Sequence, residues 1–469
     1  MRTFKRPNVL LLYTDQQRFD TISYGRELAI DTPNLNALAA DGAYFTNYFV
    51  NNPVCSPSRM SFLSGRHCSS VGVGWNGISL PEDVQPLNCL LKPYGYHSAQ
   101  IGKLHFTPHA KRDHKDPTPT FGFDTFILSD EPGCYDDAYT KWLEMVAPDQ
   151  VDKARTALPP AALRYNKPAY STQPRATHQP YLFAGEEGCN HASFVASELI
   201  RYINSRDGNN PFFAIGGFYA PHPPINPLKK YVDMVDVSKL SPPKLGENEW
   251  FDKQVADVPE EKWLEIKAYY LAQVKEIDCL VGEIVQTLKD KGLYDDTIIV
   301  FTSDHGEYLG EHGKIGKGMP GYDCITHVPM IMKYTREIKP GTVIDNLVEG
   351  VDFVPTILDF CGIQVPQFVQ GKSLRPLLRG ETTEHKDSVL VESFEPYGLR
   401  QTTLRTAKYK YYCSNAGDEL FFDLEKDPGE LENRVNDPAY KEAVSEMRYK
   451  LVIRLQNSAF RNMEMSAEY

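Results

Sequence analysis

The chain has 469 residues, 41% of them hydrophobic and 24% charged, with a net charge of −12. That length supplies one large core and a smaller one. The acidic balance argues against a nucleic-acid or anionic-membrane partner, and no apolar run approaches the roughly 18–20 residues of a membrane span.

Met1–Arg6 runs almost directly into the apolar stretch Val9–Tyr13, with no leader pattern ahead of it, so the expected location is the cytoplasm. Val9–Tyr13 predicts a strand that ends in the polar cluster Thr14-Asp15-Gln16-Gln17. The next signal is Cys55-Ser56-Pro57-Ser58-Arg59. Ser56 is suited to an N-cap and Pro57 to the first helical position, so a helix is expected through Arg59 and Leu63 to Gly65. Residue 55 would then lie beside a helix N-terminus, where an anion is favoured, with Arg59 one turn on. Taken alone, the same residues also describe a buried structural cysteine before a capped helix. The nine cysteines contain no Cys-x-x-Cys pair, which argues against a disulfide framework and a thiolate zinc site.

Three more segments repeat the arrangement of a strand followed by a polar cluster. His97–Ile101 leads to Gly102-Lys103-Leu104-His105, Phe212–Tyr219 to Ala220-Pro221-His222-Pro223-Pro224, and Thr297–Phe301 to Thr302-Ser303-Asp304-His305-Gly306. Helical patterns at Leu87–Lys92, His191–Asn204 and Ile266–Lys291 precede most of these strands. Alternating strands and helices predict a mostly parallel sheet, with the ligand site beyond its carboxyl ends, where all four clusters fall. Residues 106–187 are rich in Pro, Lys, Asp and Tyr and predict long loops and short helices forming a lid. Val354–Leu358 predicts a helix, Leu404–Tyr412 and Glu419–Leu424 an antiparallel hairpin about Asn415–Gly417, and Lys441–Leu455 a closing helix. The expected domains are 1–374 and a C-terminal α+β subdomain over 375–469.

With these residues in view, the chain resembles the type I, formylglycine-dependent sulfatases of the alkaline phosphatase superfamily. The most specific element is Cys55–Arg59, continued by Met60–Arg66; Gly316-Lys317-Gly318 adds to the clusters already named. The resemblance runs from Asn8 to about Asn433. It implies an α/β, alkaline-phosphatase-like fold: a large, mostly parallel central sheet flanked by helices, with an antiparallel sheet in the C-terminal subdomain.

It also implies the chemistry. Cys55 would be oxidised to formylglycine by a formylglycine-generating or maturase enzyme. The metal site would comprise Asp15, Gln16, residue 55, Asp304 and His305. Gln16 and His305 stand where many sulfatases place Asp and Asn. Mostly oxygen ligands suit one divalent cation, Ca²⁺ first; the nitrogen of His305 leaves room for Mg²⁺ or Mn²⁺. The hydrated aldehyde would attack sulfur, with Arg59 holding it, Lys103 and Lys317 on the sulfate oxygens, His105 taking the second proton and His222 protonating the leaving alcohol. His67 and His97 are read as structural. The lid residues His109, Arg175, His178 and Asn190 are weaker candidates for contact with a sugar or small cation.

The expected substrate is a small sulfate ester of a sugar, an aryl alcohol or choline. The alternative is a phosphonate monoester hydrolase or phosphodiesterase on the same scaffold, suggested by Tyr219–Pro224 and opposed by Lys103, which those relatives tend to lack. Neither nucleic acid nor membrane is an expected partner, and a homo-oligomer is compatible with the sequence.

Overall fold

The computed structural model describes residues 5–108, 118–134, 136–157, 173–208, 210–247, 249–396 and 398–459. Its main sheet has eight strands in the order Thr125–Leu128, His97–Gly102, Phe212–Pro221, Asn8–Asp15, Thr297–Ser303, Met330–Lys333, Ala43–Phe45 and Thr342–Ile344. The first five run parallel. Met330–Lys333 is antiparallel to both of its neighbours. The four strands expected from the sequence are therefore adjacent and central. Their near-continuous apolar runs are those of strands covered on both faces.

Alternate residues of Asn8–Asp15 feed two different cores. Leu11 and Tyr13 pack with Met60, Phe62 and Leu63 of the helix Cys55–Ser64 and with Phe353–Leu358. Leu10 and Leu12 pack with Leu199 of the helix His191–Asn204 and with Ile277, Val281 and Ile284 of the long helix Glu260–Asp290. Each such buried side chain contributes about 1.5–3 kcal/mol. This packing fixes the strand ends, and with them the polar clusters, to one another.

The smaller sheet is antiparallel, in the order Val389–Phe394, Arg400–Arg405, Tyr409–Ser414 and Glu419–Asp423. The closing helix Lys441–Ala459 lays Val444, Met447 and Leu451 on Leu390, Leu404, Tyr411 and Phe421. Among the described residues, no helix is long and apolar enough to cross a membrane.

Three expectations need correction. The helix after Val54 begins at Cys55 itself, with Val54 rather than Ser56 in the capping position. Residues 106–187 are not only loops and short helices such as Ala138–Val146: Thr125–Leu128 is the edge strand of the main sheet. The run Leu404–Tyr412 is two strands. A turn over Thr406–Lys408 divides it, where Thr406 Oγ1 accepts the Tyr409 N–H at 2.9 Å. A hydroxyl turn of this kind lacks the Gly, Pro or Asn that marks most turns in a sequence.

Candidate active site

The four strand ends converge on the first turn of Cys55–Ser64. Asn52 Oδ1 accepts Val54 N–H at 2.8 Å, and Asn76 Oδ1 accepts Ser56 N–H at 3.0 Å. Two side-chain amides thus satisfy donors that a helix start leaves orphaned, and they fix the position of Cys55. Gly102 and Gly217 let the adjacent cluster close in: a Cβ on Gly102 would lie 2.2 Å from the Gly217 carbonyl oxygen, and one on Gly217 2.1 Å from that of Lys103. Only glycine permits this approach, which delivers Lys103 beside Asp15.

Asp15, Cys55, Asp304 and His305 are all buried, and one potential ligand atom from each lies within 4.8 Å of the others. Lys103 Nζ sits 2.7 Å from Asp15 Oδ2, with neither side chain exposed. Arg59 Nε donates to Asp304 Oδ2 at 2.7 Å; its other N–H groups go to Asp15 Oδ2, the Lys103 carbonyl and the Thr14 carbonyl. These acceptors account for its hydrogen bonds. Arg59 therefore fixes the two carboxylates, and its charge also interacts directly with residue 55.

Burial alone would raise the Asp15 carboxyl; nearby cations, Lys103 first among them, instead hold it well below the usual carboxylate range. Burial, then the Asp15 charge, push the Cys55 thiol up to about 11, so an unmodified Cys55 stays protonated near neutral pH. His305 Nδ1 lies 2.8 Å from the Gly306 carbonyl, which can only accept, so the proton sits on Nδ1. The lone pair of Nε2 then faces the cluster, 3.2 Å from Cys55 Sγ. Two carboxylates and a neutral imidazole with a carbonyl behind it form a donor set that fits a divalent cation.

Lys317 and His222 stand on the half-buried side. Lys317 Nζ contacts Cys55 Sγ and lies 3.0 Å from His222 Nε2 and 3.5 Å from Gln16 Oε1. His222 Nδ1 is 2.7 Å from the Pro223 carbonyl, so Nδ1 carries the ring proton and Nε2 accepts from Lys317. Burial first, then the Lys317 ammonium, hold His222 well below the usual imidazole range. His105 is buried, with its backbone N–H on Asp130 Oδ1 at 2.9 Å.

The weaker candidates separate from this group. Arg175 reaches Glu131 Oε2 and, at 2.6 Å, the Tyr219 hydroxyl, and so acts as a strut. Asn190 caps the helix His191–Asn204 and donates to Glu276 Oε1 at 2.7 Å. His178 is half-buried, and His109 lies outside the described residues. His67 and His97 occupy structural positions, with His67 N–H on Gln370 Oε1 at 2.8 Å and His97 Nδ1 3.0 Å from the Tyr202 hydroxyl.

Sequence reasoning missed three supporting residues. Asp130 holds both the Leu104 and His105 N–H groups at 2.9 Å. Tyr219 lies under the Lys103 ammonium, with its ring centroid 4.6 Å away, and its ring meets that of His222 at a tilt of 55°. Glu307, fully buried three residues after Asp304, binds Gln16 and the backbone N–H groups of Leu309 and Gly316, the latter next to Lys317. Burial raises its carboxyl, opposed by those hydrogen bonds. Asp130 follows Thr125–Leu128 in the cluster Ser129-Asp130-Glu131, an arrangement that becomes visible only once that short, half-buried strand is placed in the sheet.

Comparison with known proteins agrees with this geometry. The sulfatase family model matches residues 7–363, and the C-terminal model of N-sulphoglucosamine sulphohydrolase matches 310–457. An arylsulfatase of Clostridium perfringens is 30% identical, covering 96% of this chain and 95% of the relative. A multifunctional alkaline phosphatase superfamily protein of Trinickia caryophylli is 28% identical, over 95% of this chain and 94% of that protein. The crystal structure of a phosphonate monoester hydrolase of Agrobacterium radiobacter superposes with a TM-score of 0.82 at 26% identity, over 96% of both chains. The chain belongs to the type I sulfatases of the alkaline phosphatase superfamily and is a sulfuric ester hydrolase.

Proposed function

We propose that the protein hydrolyses a small sulfate ester of a sugar, an aryl alcohol or choline to the alcohol and inorganic sulfate, with formylglycine made from Cys55 as the nucleophile. One observation carries the reading: Cys55 starts a buried helix at the point where Asp15, Asp304 and His305 meet the ammonium groups of Lys103 and Lys317.

A divalent cation held by Asp15, Gln16, Asp304, His305 and the modified residue 55 would supply Lewis acidity, lowering the pKa of a hydroxyl at residue 55 and drawing charge from the ester. Ca²⁺ suits the oxygen majority, and Mg²⁺ or Mn²⁺ the imidazole. The hydrated aldehyde carries two hydroxyls on one carbon. One, with its proton lost to solvent, would attack sulfur as the ester S–O bond breaks; loss of the second hydroxyl's proton to His105 would reform the carbonyl and expel sulfate. Lys103 and Lys317 bind the sulfuryl oxygens and offset charge that spreads over them in the transition state. His222 takes up a proton at Nε2 when the anionic ester binds and gives it to the leaving alcohol, while Lys317, 3.0 Å from that atom, stays an ammonium on the sulfuryl oxygens. Arg59 keeps both carboxylates in place throughout.

The second reading, a phosphonate monoester hydrolase or phosphodiesterase, draws on the structural likeness to the Agrobacterium enzyme. The fully buried second lysine, Lys103, favours sulfate. The test is to co-express the chain with a formylglycine-generating enzyme, follow inorganic sulfate release from sugar, aryl and choline sulfates, and weigh the Cys55 peptide by mass spectrometry. The expected result is sulfate release from at least one ester in proportion to the aldehyde-bearing fraction. Full activity from an unmodified Cys55 peptide would overturn the nucleophile assignment.

A further inference from the structure

Gln16 has its backbone fixed at both ends. Its N–H donates to Asp304 Oδ1 at 3.0 Å, and its carbonyl accepts from the Tyr270 hydroxyl at 2.6 Å. It is 1% exposed and holds a left-handed conformation at φ +69°, which a non-glycine residue adopts only when its surroundings impose it. The side chain therefore has one place to go, between Glu307 on one side and Lys317 on the other.

A primary amide in that place is ambiguous, because its oxygen and nitrogen ends have nearly the same shape and opposite hydrogen-bonding character. An oxygen turned toward the cluster could bind a cation, whereas an NH₂ group would repel it. Glu307 removes the ambiguity. Its Oε1 accepts the backbone N–H of Leu309 at 3.2 Å and that of Gly316. Its Oε2 accepts from Gln16 Nε2 and, at 3.4 Å, from Thr177 Oγ1. Main-chain N–H groups can only donate, so the carboxylate must present acceptors to them. A carboxylate presents acceptors at its other end as well. Gln16 must then turn Nε2 toward Glu307, which leaves Oε1 toward the catalytic group, 3.5 Å from Lys317 Nζ.

We propose that Glu307 is a positioning residue that fixes the Gln16 amide with its oxygen toward the metal cluster, making Gln16 a dependable oxygen ligand. The inference rests on the metal-dependent reading given above. The same carboxylate holds Gly316, so the orientation of Gln16 and the approach of Lys317 are set by one group.

The test is calorimetric titration of Mn²⁺ into chelator-stripped protein, a binding measurement that does not involve turnover. In Glu307→Gln, the single amide oxygen stays with the Leu309 and Gly316 N–H groups, and the NH₂ faces Gln16 and flips it. Mn²⁺ affinity should fall by about 10–100-fold. In the double variant Gln16→Glu/Glu307→Gln, carboxylate and amide exchange places. An acceptor again faces the cluster, and affinity should return to within about threefold of the wild type or exceed it. A merely structural role for Glu307 would not be rescued by this exchange. Wild-type affinity in Glu307→Gln, or a double variant no better than the single, would overturn the proposal. If Glu307→Gln does not fold, the double variant carries the test alone: it is expected to fold and bind Mn²⁺, and failure to bind contradicts the proposal. A wild type that binds no Mn²⁺ and no Ca²⁺ refutes the metal-dependent reading itself, and the inference with it.

Discussion

Two of the buried charge clusters in this molecule are built to opposite ends. One joins Glu349 and Asp352 to Lys386 and Arg454. Lys386 Nζ bridges both carboxylates at 2.5 and 2.6 Å, Arg454 reaches Glu349 at 2.5 Å, and His385 Nε2 lies 3.0 Å from Asp352. Burial would raise both carboxyls, and the Lys386 ammonium overcomes it to hold them below the usual range. Two fixed negative charges meet two fixed positive charges, so the cluster closes on itself and ties the small sheet and closing helix to the segment Val348–Asp352. The catalytic cluster does not close. Asp15 and Asp304 face Arg59, Lys103 and Lys317. That is one positive charge in excess, before any dication adds its own. An acidic protein thus carries a local surplus of positive charge at one buried point, which suits an anionic ester. The lesson is that complete pairing makes a buried charge cluster a fastener, and incomplete pairing makes it a site.

This contrast can be broken by mutation. The largest expected effect is that of Cys55→Ala, which should lower kcat by about 10⁴-fold or more while the unfolding midpoint stays within a few degrees; residual turnover near wild type would show another nucleophile. Next is Lys386→Met at the closed cluster. Leaving its carboxylates without that cation should cost about 3–5 kcal/mol of stability, read by denaturant unfolding, with kcat of the folded protein unchanged. Lys317→Ala, at the open cluster, should do the reverse, lowering kcat/KM by about 10²–10³-fold with little change in stability. Equal effects of both lysines on both measurements would erase the distinction.

The smallest effect sharpens the comparison with a carboxyl outside both clusters. Glu276 is buried, with the Asn190 amide as its hydrogen-bond donor, and burial raises it from 4.5 to about 7. The folded state then holds the proton more tightly than the unfolded chain, so wild-type stability falls as pH rises from about 4.5 to about 7. Glu276→Gln lacks that loss. It should be more stable than wild type by about 3 kcal/mol at pH 8, with the advantage vanishing near pH 4.5. A pH-independent difference would contradict the shift.

The catalytic strands were legible because each joins a continuous apolar run to a polar cluster, a pattern set by burial on both faces. His191–Asn204 was read with its observed ends because its apolar face repeats regularly. Thr125–Leu128 was not legible: a short, half-buried edge strand inside a Pro- and Asp-rich insert lacks the apolar run that marks its neighbours. Nor were the ion-pair partners of Arg59, since Asp15 and Asp304 lie 44 and 245 residues away from it in sequence. Glu307 was hidden for the same reason, since its partners Gln16 and Thr177 are remote in sequence. Sequence spacing reports which residues are present, and tertiary structure decides which of them touch the chemistry and which hold others in place.

The most direct measurement of the central claim is a comparison of initial rates on p-nitrophenyl sulfate and p-nitrophenyl phenylphosphonate with one formylglycine-bearing preparation, taking Cys55→Ala as the blank. A higher kcat/KM for the sulfate ester, lost in the blank, is the predicted result. A higher kcat/KM for the phosphonate would contradict it and assign the paired lysines to phosphorus chemistry.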